Sequence, residues 1–237
     1  MRRLTLTMCP LAGYRRIMNL AEEFALLAYG NDGAPDTDSV RLDNGLGGSL
    51  LLELAISGRL DVEDRKVIVR DPAPTGDPLV DQALARIAAD DKARKPGYWV
   101  KKFAKDARKL TLDRLVEQEV LTREQDTVLL VFPRTRYPAP HGVEPVPETE
   151  ARQRLTAAVS GTGPVEPRTA ALCALVAATN LDRKVFSTLD RKRAKERLAE
   201  ISAGDWAATA VRKTIEEIQT AVIVSVVAAS TVSASTS

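Results

Sequence analysis

Residues 44–60 read Asn-Gly-Leu-Gly-Gly-Ser-Leu-Leu-Leu-Glu-Leu-Ala-Ile-Ser-Gly-Arg-Leu. Leu46, Leu50 and Leu54, flanked by Leu51 and Ile56, leave almost no polar stripe. A helix built from this run is apolar on nearly every side, so it has to be enclosed by other elements. Gly58 is placed to end it at the C′ position. Gly45, Gly47 and Gly48 imitate a phosphate loop, but they run into the apolar helix and lack the Lys-Ser/Thr pair that such a loop needs. Their expected role is close backbone approach between helices, where a Cβ would not fit.

The other periodicities supply helices to wrap it. Asn19 is a suitable N-cap, with Glu22 reaching back and Leu20, Phe24 and Leu27 on one face. The stretch 30–35 breaks that helix. Leu79, Ala83, Leu84 and Ile87 space a helix over 78–89. Residues 98–119 read as one long basic amphipathic helix, with Phe103, Leu110, Leu115 and Val116 inward. Further helices are expected at about 148–160, 167–180, 181–189, 190–201 and 205–228. Strand signals are few: 66–69, and a run over 127–132 with a return at 134–138 that together read as a hairpin. The loop 71–77 has two prolines and a glycine, and Asp77 and Thr75 are expected to cap the helix that follows. The first 17 residues read as an N-terminal extension, leaving both Met1 and Met18 as candidate starts. Residues 18–230 read as one domain and 231–237 as a polar tail.

Charge is where function shows. The net charge of +2 says little, but residues 92–114 carry nine basic groups against Asp106 and Asp113, and 183–197 carry seven against Asp190 and Glu196. Such clusters draw anionic partners. Lys101, Lys102, Lys105 and Arg108 fall at i, i+1, i+4 and i+7, on one face of the expected long helix. Catalytic signatures are missing: no G-x-S-x-G, no P-loop, no H-E-x-x-H and no paired-cysteine spacing. His141 is the lone histidine, so a multi-histidine metal site is excluded. Two cysteines, Cys9 and Cys173, cannot build a disulfide framework and suit a reducing compartment. No metal and no cofactor are expected. Aromatic residues make up 4%, with Trp99 and Trp206 outside any basic-aromatic alternation, which argues against nucleic acid as a partner.

Several ordered segments carry a family resemblance: Leu20-Ala-Glu-Glu23, Gly45-Leu-Gly-Gly48 through Leu52-Glu-Leu-Ala55 and Gly58-Arg-Leu60, Lys66-Val-Ile68, Ala73-Pro-Thr-Gly-Asp77, Asp81-Gln-Ala-Leu84, Leu115-Val-Glu-Gln-Glu-Val-Leu-Thr122, Gln153-Arg-Leu155 and Val226-Val-Ala-Ala229. In these, over residues 18–230, the sequence resembles the Golgi phosphoprotein 3 family, and looks like a bacterial-type member. The resemblance implies a mainly α single-domain helical bundle wrapped by amphipathic helices, with a short projecting β-hairpin. It also implies a cytoplasmic, peripherally membrane-associated protein that binds phosphatidylinositol 4-phosphate and acts as an adaptor for protein clients rather than as an enzyme.

The family's lipid pocket uses a tryptophan, an arginine within G-L-R-G, and an R-x-x-R pair. Carried over without gaps, these fall on Asp38, Gly47, Lys105 and Arg108. Positive charge is kept at two of the four, with Arg41 nearby as a substitute. The expected headgroup-binding residues are therefore Lys105, Arg108, Arg41 and Lys101, acting as a diffuse cationic field on anionic phospholipids. Phe132, Arg134, Arg136 and Tyr137 are the expected membrane contacts of the hairpin. The alternative is a cytosolic protein-interaction adaptor without lipid affinity.

Overall fold

The computed structural model describes residues 18–128, 132–203 and 209–234. The proposed N-terminal extension and the last three residues lie outside these. The apolar run sits at the centre as α2 (Ser39–Ile56), and it begins five residues earlier than the run itself because Asp38 supplies the N-cap, accepting from the Arg41 N–H. Leu42, Leu46, Leu50, Leu51, Leu52 and Leu54 are all buried. Gly58 has φ +70°, and the Arg59 N–H reaches the Leu54 carbonyl while the Gly58 N–H reaches that of Ala55. This pair of bonds is a Schellman closure, which satisfies the last carbonyls of the helix.

Each glycine of α2 admits a different neighbour. A Cβ on Gly45 would lie 2.5 Å from the Phe24 ring of α1 (Leu20–Ala28). On Gly47 it would lie 2.5 Å from the Val100 carbonyl oxygen of α4 (Pro96–Phe103). On Gly48 it would overlap Val222 of α10 (Thr209–Ala234). Close approach, as expected from the sequence, is therefore their role, and it offsets the roughly 1 kcal/mol that a glycine costs inside a helix. α10 runs on to Ala234, into the stretch read as a polar tail.

Helix α1 is buried along all nine of its residues and opens with the expected capping box between Asn19 and Glu22. Three arginines from later in the chain hold its carboxylates. Arg114 meets Glu22 at 3.1 Å, Arg154 meets Glu23 at 3.0 Å, and Arg168 reaches Glu23 and, at 2.9 Å, Glu53 of α2. These arginines lie on α5 (Ala107–Glu117), α6 (Val146–Ser160) and α7 (Pro167–Ala178). Asp77 caps α3 (Pro78–Ala88) and also pairs with Arg114, so the loop it closes is structural.

Two expectations need correction. The stretch 98–119 is not one helix. A turn over 104–106 separates α4 from α5, held where Arg86 pairs with Asp106 at 2.8 Å and where the Ala104 nitrogen lies against Gly47. The hairpin strands also fall differently. β3 is Glu124–Val128 and β4 is Phe132–Arg136, antiparallel with Val128 opposite Phe132. Phe132 thus opens the return strand instead of ending the first. The segment 66–69 gains a partner as well: β1 (Leu60–Glu63) pairs with β2 (Lys66–Val69) through a turn in which Asp64 and Arg65 both have positive φ, the twist that two-residue hairpins favour. The short α8 (Asp182–Val185) and α9 (Arg191–Ala203) complete the shell.

Candidate anionic-headgroup site

The first turn of α2 and the loop before it bring together four of the eight candidate residues, Arg41, Arg108, Arg136 and Tyr137. Arg41, in the first turn, forms an ion pair with Asp38. Burial opposes ionisation of Asp38, but the Arg41 N–H and guanidinium outweigh it and hold the carboxyl below its ordinary range. Arg108 comes from α5 to the same turn, where its guanidinium meets Asp43 at 2.7 Å and donates to the Ser39 carbonyl at 3.0 Å. Burial raises the Asp43 carboxyl despite Arg108 beside it. Arg108 therefore clamps α5 to α2, and its charge is largely spent inside the molecule. Lys105 is exposed in the turn before α5 and has no ion pair among the described residues.

The break between α4 and α5 disperses the cationic face expected of a continuous helix. Lys101 is exposed on α4 and faces a groove against α10. Lys102 lies over the Trp99 ring at 4.6 Å, and Arg94 over Tyr98 at 4.7 Å while pairing with Asp90. Lys109 pairs with Asp113, and Arg114 with Glu22 and Asp77. Of the basic groups in 92–114, Arg94, Arg108 and Arg114 are thus matched by acids outside the segment and Lys109 by one within it, while Lys95, Lys101 and Lys105 keep exposed charge.

Sequence reasoning missed the place of the second basic block. A polar cavity of about 580 Å³ opens beside the first turn of α2, and Arg41 shares its lining with Arg183, Arg191 and Lys195. Asp36, Asp38 and Asp182 line it too, so it is mixed in sign, with several guanidinium and ammonium donors turned to one space. Such groups suit a phosphate, which arginine grips with two parallel hydrogen bonds. The sequence signal was the cluster at 183–197; what it lacked was any sign that α8 and α9 fold back onto Arg41.

The hairpin emerges beside this end. At its base Tyr137 is half-buried, packs edge-on against Tyr29 with ring centroids 6.0 Å apart, and donates its N–H to the Gly33 carbonyl at 2.9 Å. Burial pushes the Tyr29 hydroxyl up to about 12. Arg136 reaches the Asp32 carboxylate at 3.6 Å. Arg134 lies opposite Asp126 in the register. The turn that joins the strands, residues 129–131, lies outside the described residues. Gly47, where the resemblance places an arginine, has its Cα against the backbone of α4, so a guanidinium has no room there.

Among the described residues no group of three His, Cys, Asp or Glu side chains is placed to hold a metal ion. None of the described helices is long and apolar enough to cross a membrane. The family model of Golgi phosphoprotein 3 (GPP34) matches residues 20–218, from α1 into α10. The chain belongs to that family.

Proposed function

We propose, from that membership, that this protein binds anionic phospholipid headgroups from the cytoplasmic side of a membrane and works there as an adaptor for protein clients, without catalysing a reaction. The observation that carries the reading is the convergence of Arg41, Arg183, Arg191 and Lys195 on one cavity, at the end of α2 that also holds Arg108 and from which the hairpin emerges. Lys105 and Lys101 add exposed charge nearby on the chain. Each such cation contributes about 1 kcal/mol close to an acidic surface.

The cavity reads negative charge rather than one headgroup. Gly47 brings no donor, and Asp38 stands at the other vacated position while occupying Arg41. Selective recognition of a 4-phosphate needs several donors fixed on that group.

Flotation with vesicles of matched surface charge tests both statements. Arg191→Ala with Lys195→Ala should lower recovery on phosphatidylglycerol vesicles without changing the melting temperature, and recovery should fall as salt is raised. Recovery that ignores both the substitutions and the salt would refute the reading. Phosphatidylinositol 4-phosphate bound at least tenfold tighter than phosphatidylglycerol, about 1.4 kcal/mol, would refute the non-selective part alone. Arg108→Ala is a poor probe, because it strands Asp43 and loosens α5 from α2.

A further inference from the structure

A second cavity lies away from the Arg41 cluster, in the groove between α4 and α10. Its volume of about 870 Å³ falls within the range of about 300–1,000 Å³ usual for small-molecule sites. Its lining is divided by chemistry. Arg65, from the turn between β1 and β2, joins Lys95 and Lys101 on the rim; all three are exposed and form no ion pair among the described residues. Arg94 lines the groove too but is engaged by Asp90 and Tyr98. The floor is apolar and open because its residues are small: a Cβ on Gly97 would find only the Ala221 Cβ, at 3.9 Å. Tyr98 and Val224 stand beside it at 40% and 58% exposure. Ile223 and Val227 continue the exposed apolar strip along α10.

We propose that this groove seats one anionic phospholipid molecule, its phosphate among Arg65, Lys95 and Lys101 and an acyl chain along Tyr98, Ala221 and Val224. Its ligand class rests on the lipid-binding reading above; its location does not. Three points favour this occupant. Glu216 and Glu217 also line the groove, so the net positive field is modest and exposed, and a free phosphate gains little in it once salt screens the site. An acyl chain adds the burial of Tyr98 and Val224, which a bare anion cannot use. A second copy of this chain, docked by a two-fold axis, would set the same concave groove against itself and leave it unfilled, which disfavours a dimer there.

The test uses a water-soluble lipid below its micelle concentration, so that no membrane surface is involved. Dihexanoyl phosphatidylglycerol is titrated calorimetrically into the full chain, beside dihexanoyl phosphatidylcholine and glycerol 3-phosphate. The proposal expects saturable binding of the first and at least tenfold weaker binding of the other two. Val224→Asp and Lys101→Glu should each weaken it at least tenfold, with the melting temperature unchanged since both side chains are exposed. Absence of saturable binding, glycerol 3-phosphate binding as well as the lipid, phosphatidylcholine binding equally, or wild-type affinity in Val224→Asp would each overturn it. Loss of binding in Arg41→Ala with Lys195→Ala would overturn it too, by placing the lipid in the other cavity. The two readings fail separately. Monomer binding without flotation keeps the groove and sinks the membrane-surface function, whereas flotation without monomer binding does the reverse.

Discussion

A methyl group on Gly47 would meet only the backbone at the end of α4, 2.5 Å from the Val100 oxygen and 3.0 Å from the Ala104 nitrogen. Neither atom can rotate away, so α4 would have to move as a unit. Gly47→Ala is expected to cost about 1–3 kcal/mol as an overpacking change. Gly48→Ala meets a side-chain methyl of Val222 instead, and its cost should be smaller, because one side chain can give way with less displacement than a helix backbone. Urea denaturation of the two variants checks the order, and equal losses would contradict it. The same contact leaves an arginine at residue 47 no path to a phosphate that does not first displace α4. Crowding at the glycines was legible in the sequence, since three glycines inside an otherwise apolar helix have few other uses. The partner of Arg108 was not. Asp43 lies far away in the chain, and a local count of charges cannot see it.

Among the elements, α6 contains a carboxyl group that titrates out of its usual range. Glu148, in its first turn, is buried, and that burial, reinforced by the neighbouring Glu144 charge, raises its pKa to about 6 although Arg152 opposes the shift. A carboxyl whose folded pKa is raised holds its proton more tightly when folded than when unfolded. Stability at this site is therefore full below about pH 4.5 and is lost as pH rises through about 6. Glu148→Gln should remove that loss, so its stability relative to the wild type should climb by about 1 kcal/mol between pH 4.5 and 7. Thermal melts across that window test it; a difference that does not change with pH would refute it. The division of 98–119 into α4 and α5 shows where element reading stops. Phe103 and Ala107 are both fully buried and four residues apart, which suits an unbroken helix equally well. What breaks it lies outside the segment, in Arg86 and in the closeness of α2. The hairpin shift has a similar origin, since register belongs to pairing and not to one strand's composition.

At the scale of the whole molecule, the basic residues divide between two uses that a net charge cannot separate. Arg114, Arg154 and Arg168 face inward to α1 and α2, while Arg183, Arg191 and Lys195 face a cavity. The bundle was legible from the apolar run that needed a shell. The division of its charges was not, because both sets have the same residue type and both sit on amphipathic helices. Arg168→Ala should separate them: it strands Glu53 and part of Glu23, and a loss of about 3 kcal/mol is expected from breaking such a part-buried pair. Chemical denaturation reads that loss, and vesicle recovery of the folded fraction should stay the same. The belt around α1 also sets a timetable. Arg168 donates to the Met18 carbonyl across 150 residues of chain, and Arg154 and Arg114 reach α1 across 131 and 92. During synthesis on the ribosome, α1 is made before any of the helices that bury it. At about 5–20 residues per second, it waits roughly seven to thirty seconds before α7 appears. The face of α1 that α6 and α7 cover stays open for that interval, after α2 and α5 have been made, which makes the nascent segment 20–28 a natural client for a chaperone.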